Sequence, residues 1–253
     1  MEKERLSFIG HLEELRRRIV ICLLTIGIGF IISYIFSDEL FSFICGPYKE
    51  AKGVKENIET SGGDTVFVFI TLPEAFLTYL KLSLYSGIFF SVPIILYETW
   101  AFIAPGLYSR EKRYVLPLVV SSFFLFQLGA IFAFYVIFPL AFRFFLGFSG
   151  EFIRPLLSIK EYLAFVTRFL LISGIIFQTP ILIFMLAKFG IVNVQFLVAH
   201  RKYALLAVVI CAAILTPPDF FSQILLAIPL IVLYEVGIII TRLFGKKEES
   251  REG

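Results

Sequence analysis

Apolar runs of about 20 residues recur along this chain, and a run of that length crosses the hydrocarbon core of a bilayer as a helix. Lipid offers no hydrogen bonds, so a spanning backbone must satisfy itself, which a helix does. Six spans are expected: about Ile19 to Phe36, Pro73 to Tyr97, Tyr114 to Phe142, Ile159 to Phe189, Tyr203 to Leu215 and Phe220 to Thr241. Composition agrees. Of 253 residues, 58% are hydrophobic and 17% charged, against about 25% charged in a soluble domain. That much apolar surface does not fit one water-soluble core. An ordinary soluble enzyme, a disordered chain and a disulfide scaffold are excluded. The expectation is an all-α integral membrane protein, a single six-helix domain over residues 1–253, built as a kinked, concave bundle.

Spans five and six are parted only by Thr216-Pro217-Pro218-Asp219. Proline lacks an N–H donor and disfavours helix in the residue before it, so this is a turn. Span five then has about 13 residues, roughly 20 Å of helix, and needs local thinning or shelter by neighbours. The charged N-terminus followed by span one resembles a secretion signal. Its apolar part is too long for a signal core and lacks a small-x-small cleavage site, so span one is expected to stay in the mature protein.

Lys and Arg set the orientation. Segments 1–18, 98–113, 188–202 and 242–253 together hold fifteen, and the opposite loops hold six. Both termini are therefore expected in the cytoplasm, with 1–18 as an amphipathic segment, 242–253 as a tail, and the acidic loop 37–72 outside. Pro93, Pro117, Pro180 and Pro229 lie within spans, and each removes a backbone bond and tends to kink its helix. The curvature either serves no chemistry or shapes a concave surface for a partner.

Charges within spans are costly and face protein or a wet cavity. Lys81 and Arg168 are near enough to the outer ends of spans two and four to snorkel. Gln178, just before Pro180, carries an amide able to bond the carbonyl the proline frees. Glu235, in span six, is expected to be neutral or paired with a cation. The set contains no Gly-x-Ser-x-Gly, His-Glu-x-x-His or phosphate-binding glycine loop. Cys22, Cys45 and Cys211 are read as small buried hydrophobes. With His11 and His200 as the two histidines, no metal site or cofactor is expected. A net charge of +3 is too small to suggest nucleic-acid binding.

The clearest clues lie on the cytoplasmic side. Phe8, Leu12, Leu15 and Ile19 form one apolar stripe at helical spacing, so residues 8–18 are expected to lie along the membrane surface before turning into span one. Glu13–Arg17 and Glu14–Arg18 have the spacing of helix ion pairs. Glu111 lies between Arg110 and Lys112 in the loop after span two.

His-Leu-Glu-Glu-Leu-Arg at 11–16 resembles the N-terminal signature of the TatC family, the core receptor subunit of the twin-arginine protein translocase. Trp-Ala-Phe-Ile-Ala-Pro-Gly-Leu-Tyr at 100–108, followed by Glu111, resembles that family's first cytoplasmic loop. Leu-Thr-Pro-Pro-Asp-Phe-Phe-Ser-Gln at 215–223, continued by Leu-Ala-Ile-Pro at 226–229, is similar to its third external turn. The resemblance covers nearly the whole chain. It implies a non-enzymatic receptor in the cell (inner) membrane that binds twin-arginine signal peptides on folded cargo. Transport would draw on the proton-motive force, with TatA/TatB-type single-span partners and further copies of the chain. It implies that Glu14 and Glu111 contact the arginine pair, with Phe102 as a wall. Guanidinium is a planar fork suited to carboxylates. It further implies that Thr216 and Gln223 face a partner helix, where hydrogen bonds contribute roughly 1 kcal/mol each. Asp219 and Pro47 match family positions in external loops, and Asp219 equally suits a helix cap. Gln178 departs from the glutamate common among relatives, which argues for hydrogen bonding rather than titration there. A small-solute transporter is the alternative. It rests on Lys81, Arg168 and Glu235, and it requires internal repeats that the two halves of the chain do not display.

Overall fold

The computed structural model describes residues 2–52, 67, 68, 70–103, 115–148, 158–215 and 220–244. The described elements are helices, with one isolated parallel bridge between Val68 and Ser158. In chain order they are α1 (Glu2–Ile35), α2 (Ser37–Ile44), α3 (Gly46–Lys52), α4 (Leu72–Ile103), α5 (Val115–Phe132), a π-helical turn (Ala133–Ile137), α6 (Phe138–Leu146), α7 (Ile159–Ile176), α8 (Thr179–Lys188), α9 (Val194–Ala199), α10 (Arg201–Leu215) and α11 (Phe220–Phe244). Five helical stretches among them are long and apolar enough to cross a membrane: α1, α4, α5 through α6, α7 through α8, and α11. Span five corresponds to α10, whose 15 residues leave it outside that set, as its early proline stop implies.

The chain divides into two units. The first comprises residues 1–123 and 138–168. Its frame is the α1–α4 pair. The two helices approach most closely where Gly29 meets Gly87: a Cβ on Gly87 would lie 2.5 Å from the Phe30 backbone nitrogen. Only glycine permits that approach, which is the packing small residues give membrane helices. At the far end of α4, the Glu74 side chain reaches back over the start of the helix, half of a capping box. The Glu74 carboxylate accepts from the Ile70 and Thr71 N–H groups at 2.7 and 3.2 Å and from Ser158 Oγ at 2.7 Å. Beside it, α3 packs on α6 and α7 through an aromatic cluster of Tyr48, Phe67, Phe142 and Tyr162. The Tyr162 hydroxyl donates to the Ile44 carbonyl at 2.8 Å.

The second unit comprises residues 124–137 and 169–253. Here Ser173 Oγ donates to the Gly129 carbonyl at 2.8 Å, and Phe126 packs on Gly174. Ile183, Leu197 and Ile238 form a small core in which α8, α9 and α11 meet. Asn193 caps α9 by accepting from the Phe196 N–H at 2.7 Å.

Several details differ from the sequence expectation. Helix α1 is continuous from Glu2 to Ile35, so there is no turn at residue 18. Residues 16–19 contain no breaker, and a helix ends only where something interrupts it. Residues 37–72 are not wholly loop, since they hold α2 and α3. Span three is not distorted at Pro117, which occupies the first turn of α5 where its missing N–H is no loss. Its irregularity is the π turn at Ala133–Ile137, just ahead of Pro139. That proline cannot donate to the Tyr135 carbonyl, and a widened turn accommodates the lost bond. Span four breaks at Phe177–Gln178. The carbonyl freed by Pro180 is that of Ile176, and Thr179 Oγ1 donates to it at 2.6 Å, a role the sequence assigned to Gln178. Of the cysteines, Cys45 alone is buried, and burial pushes its thiol up to about 12. Cys22 is half-buried, and Cys211 is exposed on the outer face of α10.

Candidate functional site

The glycine crossing fixes the register of the α1–α4 pair, and the register assembles the site. Arg18 precedes Gly29 by as many residues as Glu98 follows Gly87. The helices run antiparallel, so the two side chains arrive at the same level, roughly 16 Å along the axis from the crossing. Arg18 Nη1 donates to Glu98 Oε2 at 2.7 Å. One turn earlier, Glu14 meets the same guanidinium: Nε and Nη2 donate to its Oε1 at 3.1 and 2.6 Å. Glu14 lies on the polar side of the apolar run that begins at Ile19.

Beyond the ion pairs, His11 stacks on Phe102 with ring centroids 4.4 Å apart and planes at 17°. This fastens the end of α4 to α1. Trp100 is buried, and its indole N–H donates to Ser122 Oγ at 2.9 Å, bracing the same stretch of α4. Between the two helices opens a cleft of about 540 Å³, lined by Gly10, Glu13, Glu14, Arg17, Arg18, Ile21, Tyr97 and Glu98. Three carboxylates and two guanidiniums line it. Among the described residues, no group of three or more His, Cys, Asp and Glu side chains has a metal-binding arrangement.

The structure brings Glu14 and Phe102 to the same end of the α1–α4 pair. Glu111, Thr216 and Asp219 lie outside the described residues. Pro47 is buried as the second residue of α3, in the aromatic region at the other end of α4. Gln178 and Gln223 belong to the second unit. Gln178 is buried at the α7–α8 break, and Gln223 Nε2 donates to the Val209 carbonyl at 3.2 Å, tying α11 to α10. Glu235 pairs with Arg201 at 2.7 Å, the cation-paired state of the two expected for it. Lys81 and Arg168 are exposed. Sequence reasoning missed Glu98. The available signal was an acid one residue past an apolar span, two before Trp100, on a helix whose register against α1 was unknown.

Known proteins give the frame a family. The family model described as Sec-independent protein translocase protein (TatC) matches residues 10–229. The TatC protein of Desulforapulum autotrophicum is 44% identical over 251 residues, covering 99% of this chain and 90% of its own length. That of Carboxydothermus hydrogenoformans is 40% identical over 253 residues, covering 100% and 99%. That of Escherichia coli K12 is 35% identical over 244 residues, covering 96% and 91%. A crystal structure of the twin-arginine translocase receptor TatC superposes with a TM-score of 0.79 at 35% identity, over 92% of this chain and 98% of that one. A second, in DDM, gives 0.78 over 94% and 100%. By sequence along nearly its whole length and by fold, this multi-pass membrane chain belongs to the TatC family of Sec-independent protein translocase proteins.

Proposed function

We propose that this chain is the signal-peptide receptor of a twin-arginine translocase. It binds the arginine pair of an export signal on folded cargo and recruits single-span partners of the TatA/TatB type, without catalysis of its own. The single observation that carries this reading is Glu14, hydrogen-bonded to a guanidinium in an open cleft at the Phe102 end of the α1–α4 pair. A site that already grips one guanidinium has the shape and charge to grip another. The family resemblance supplies Glu111 as the second acid, and Phe102 walls the site. The excess of Lys and Arg at this end argues that it faces the cytoplasm, where cargo arrives, and that both termini lie there. The other matched positions have separate roles. Thr216 and Gln223 offer hydrogen bonds to partner helices, while Gln178, buried at the α7–α8 break, and Pro47, buried in α3, support the fold, and Asp219 caps span six.

A bundle of this size does not enclose a pore for a folded domain, so transport requires further copies and partners, with the proton-motive force as driver. The test is site-specific crosslinking of a twin-arginine signal peptide to residues 8–18 and 100–113, combined with Glu111→Gln. Crosslinks to both segments, and a loss of twin-arginine binding that far exceeds the loss for a twin-lysine peptide, are expected. Equal loss for both peptides, or cysteine labelling that places Glu14 outside the cell, overturns the reading.

A further inference from the structure

Arg18 is itself a guanidinium, and the cleft already holds it. Three of its nitrogens donate to two carboxylates, at 2.6 and 3.1 Å to Glu14 Oε1 and at 2.7 Å to Glu98 Oε2. Its side chain is only 21% exposed and that of Glu98 11%, whereas Glu14 is 36% exposed. Among the described residues, neither Glu14 Oε2 nor Glu98 Oε1 accepts a hydrogen bond. Two acids therefore share one cation, each with an oxygen to spare. With Glu13 and Arg17 included, the lining carries one negative charge in excess. A pair that existed only to join two helices needs one acid and one base. The second acid makes the site resemble a receptor with its ligand in place.

We propose that Arg18 is an internal stand-in for a signal-peptide arginine, displaced from Glu98 and Glu14 by the arriving guanidinium, and that Glu98 is thereby a further contact of the receptor site. This rests on the receptor reading above and adds to it a resting state and a third acid. The physical reason for a stand-in is the cost of leaving Glu98, 11% exposed, without a cation: a sheltered charge stripped of its partner destabilises. Exchanging one guanidinium for another keeps both carboxylates paired throughout. Exchanging it for a lysine ammonium replaces a planar fork by a point charge, so the exchange itself disfavours lysine. The released Arg18 side chain, on the surface of α1 beside an open cleft, has solvent to enter.

The experiment uses the full-length protein in lipid nanodiscs, titrated with a fluorescent twin-arginine signal peptide and its twin-lysine counterpart. Arg18→Gln empties the site. If Arg18 occupies the acids nine-tenths of the time, twin-arginine binding tightens about tenfold, and twin-lysine binding tightens less. Arg18→Lys keeps the charge but not the fork, and tightens twin-arginine binding by a smaller factor. It also serves if the glutamine variant does not fold. In the Arg18→Gln background, Glu98→Gln reverses the gain. Weaker twin-arginine binding in either Arg18 variant makes Arg18 a brace for Glu14 and overturns the proposal. Equal tightening of both peptides reduces the effect to net charge and overturns it too. No response to Glu98→Gln in that background removes Glu98 as a contact. A wild-type protein without preference for twin arginine sinks the receptor reading itself, an outcome distinct from an intact preference with no exchange.

Discussion

Two arginine–glutamate contacts of equal length serve different ends in this molecule. In the first unit, Arg18 lies 2.7 Å from Glu98 and 2.6 Å from Glu14, sheltered at 21% exposure beside a cleft of about 540 Å³. In the second, Arg201 lies 2.7 Å from Glu235, with side chains 49% and 42% exposed, beside a cavity of about 160 Å³ that also contains Tyr234 and Lys202. The second contact is balanced, one acid to one base, and both side chains are far more exposed. It contributes little, as exposed pairs do. The first has an acid to spare and is partly dry. The length of an ion pair therefore says nothing about function here; stoichiometry and exposure do.

The largest expected effect separates the two clefts directly. Glu14→Gln should weaken twin-arginine peptide binding by about tenfold or more, since one charge-assisted hydrogen bond in a sheltered site is worth that much. Glu235→Gln, measured in the same titration, should leave it unchanged. A matching loss from Glu235→Gln would erase the distinction between the two regions.

Next come the helix crossings that carry each contact. Gly87→Ala places a methyl group against the α1 backbone and should cost about 1–3 kcal/mol by overpacking. It should also weaken peptide binding, because Glu98 no longer arrives opposite Arg18. Gly237→Ala in the second unit meets Ile183 Cδ1 at 2.8 Å and Cβ at 3.2 Å, side-chain atoms rather than a neighbouring backbone, and should cost less without touching binding. Thermal unfolding in detergent and peptide titration of both variants compare them, and a larger loss from Gly237→Ala would reverse the order.

Trp100→Phe keeps most of the ring and deletes the bond to Ser122. A loss of about 1 kcal/mol in stability is expected, with a modest drop in peptide affinity as α4 loosens near Phe102. Unchanged affinity would show that this brace supports the fold alone. The smallest effect is the stability cost of Glu235→Gln, about 0–1 kcal/mol and declining with salt. A loss above that range, insensitive to salt, would mean that the pair is drier than its exposure states.

Legibility followed the range of the forces involved. Helical spans were readable because apolar length and backbone self-satisfaction are local properties. The proline stop before Asp219, the short α10 and the break ahead of Pro180 were readable for the same reason. The π turn at Ala133–Ile137 was not anticipated, although Pro139 stood in the sequence as its signal. The Glu74 cap on the start of α4 is likewise a spacing, Thr71 to Glu74, that the sequence carries. Glu14 and Phe102 were named from motifs, and the structure brings both to one end of α1 and α4. Glu98 was not named, because its meaning depends on which residue of α1 stands opposite it.

The sequence alone determined that this chain lives in lipid, roughly which segments span it, and which family it resembles. Those properties follow from neighbours within a turn or two and from runs long enough to cross a bilayer. Only the tertiary structure decided that Arg18 stands between Glu14 and Glu98. That depends on the register at which Gly29 meets Gly87, and a shift of one turn in that crossing would carry Glu98 about 5 Å away and leave the acid without its guanidinium.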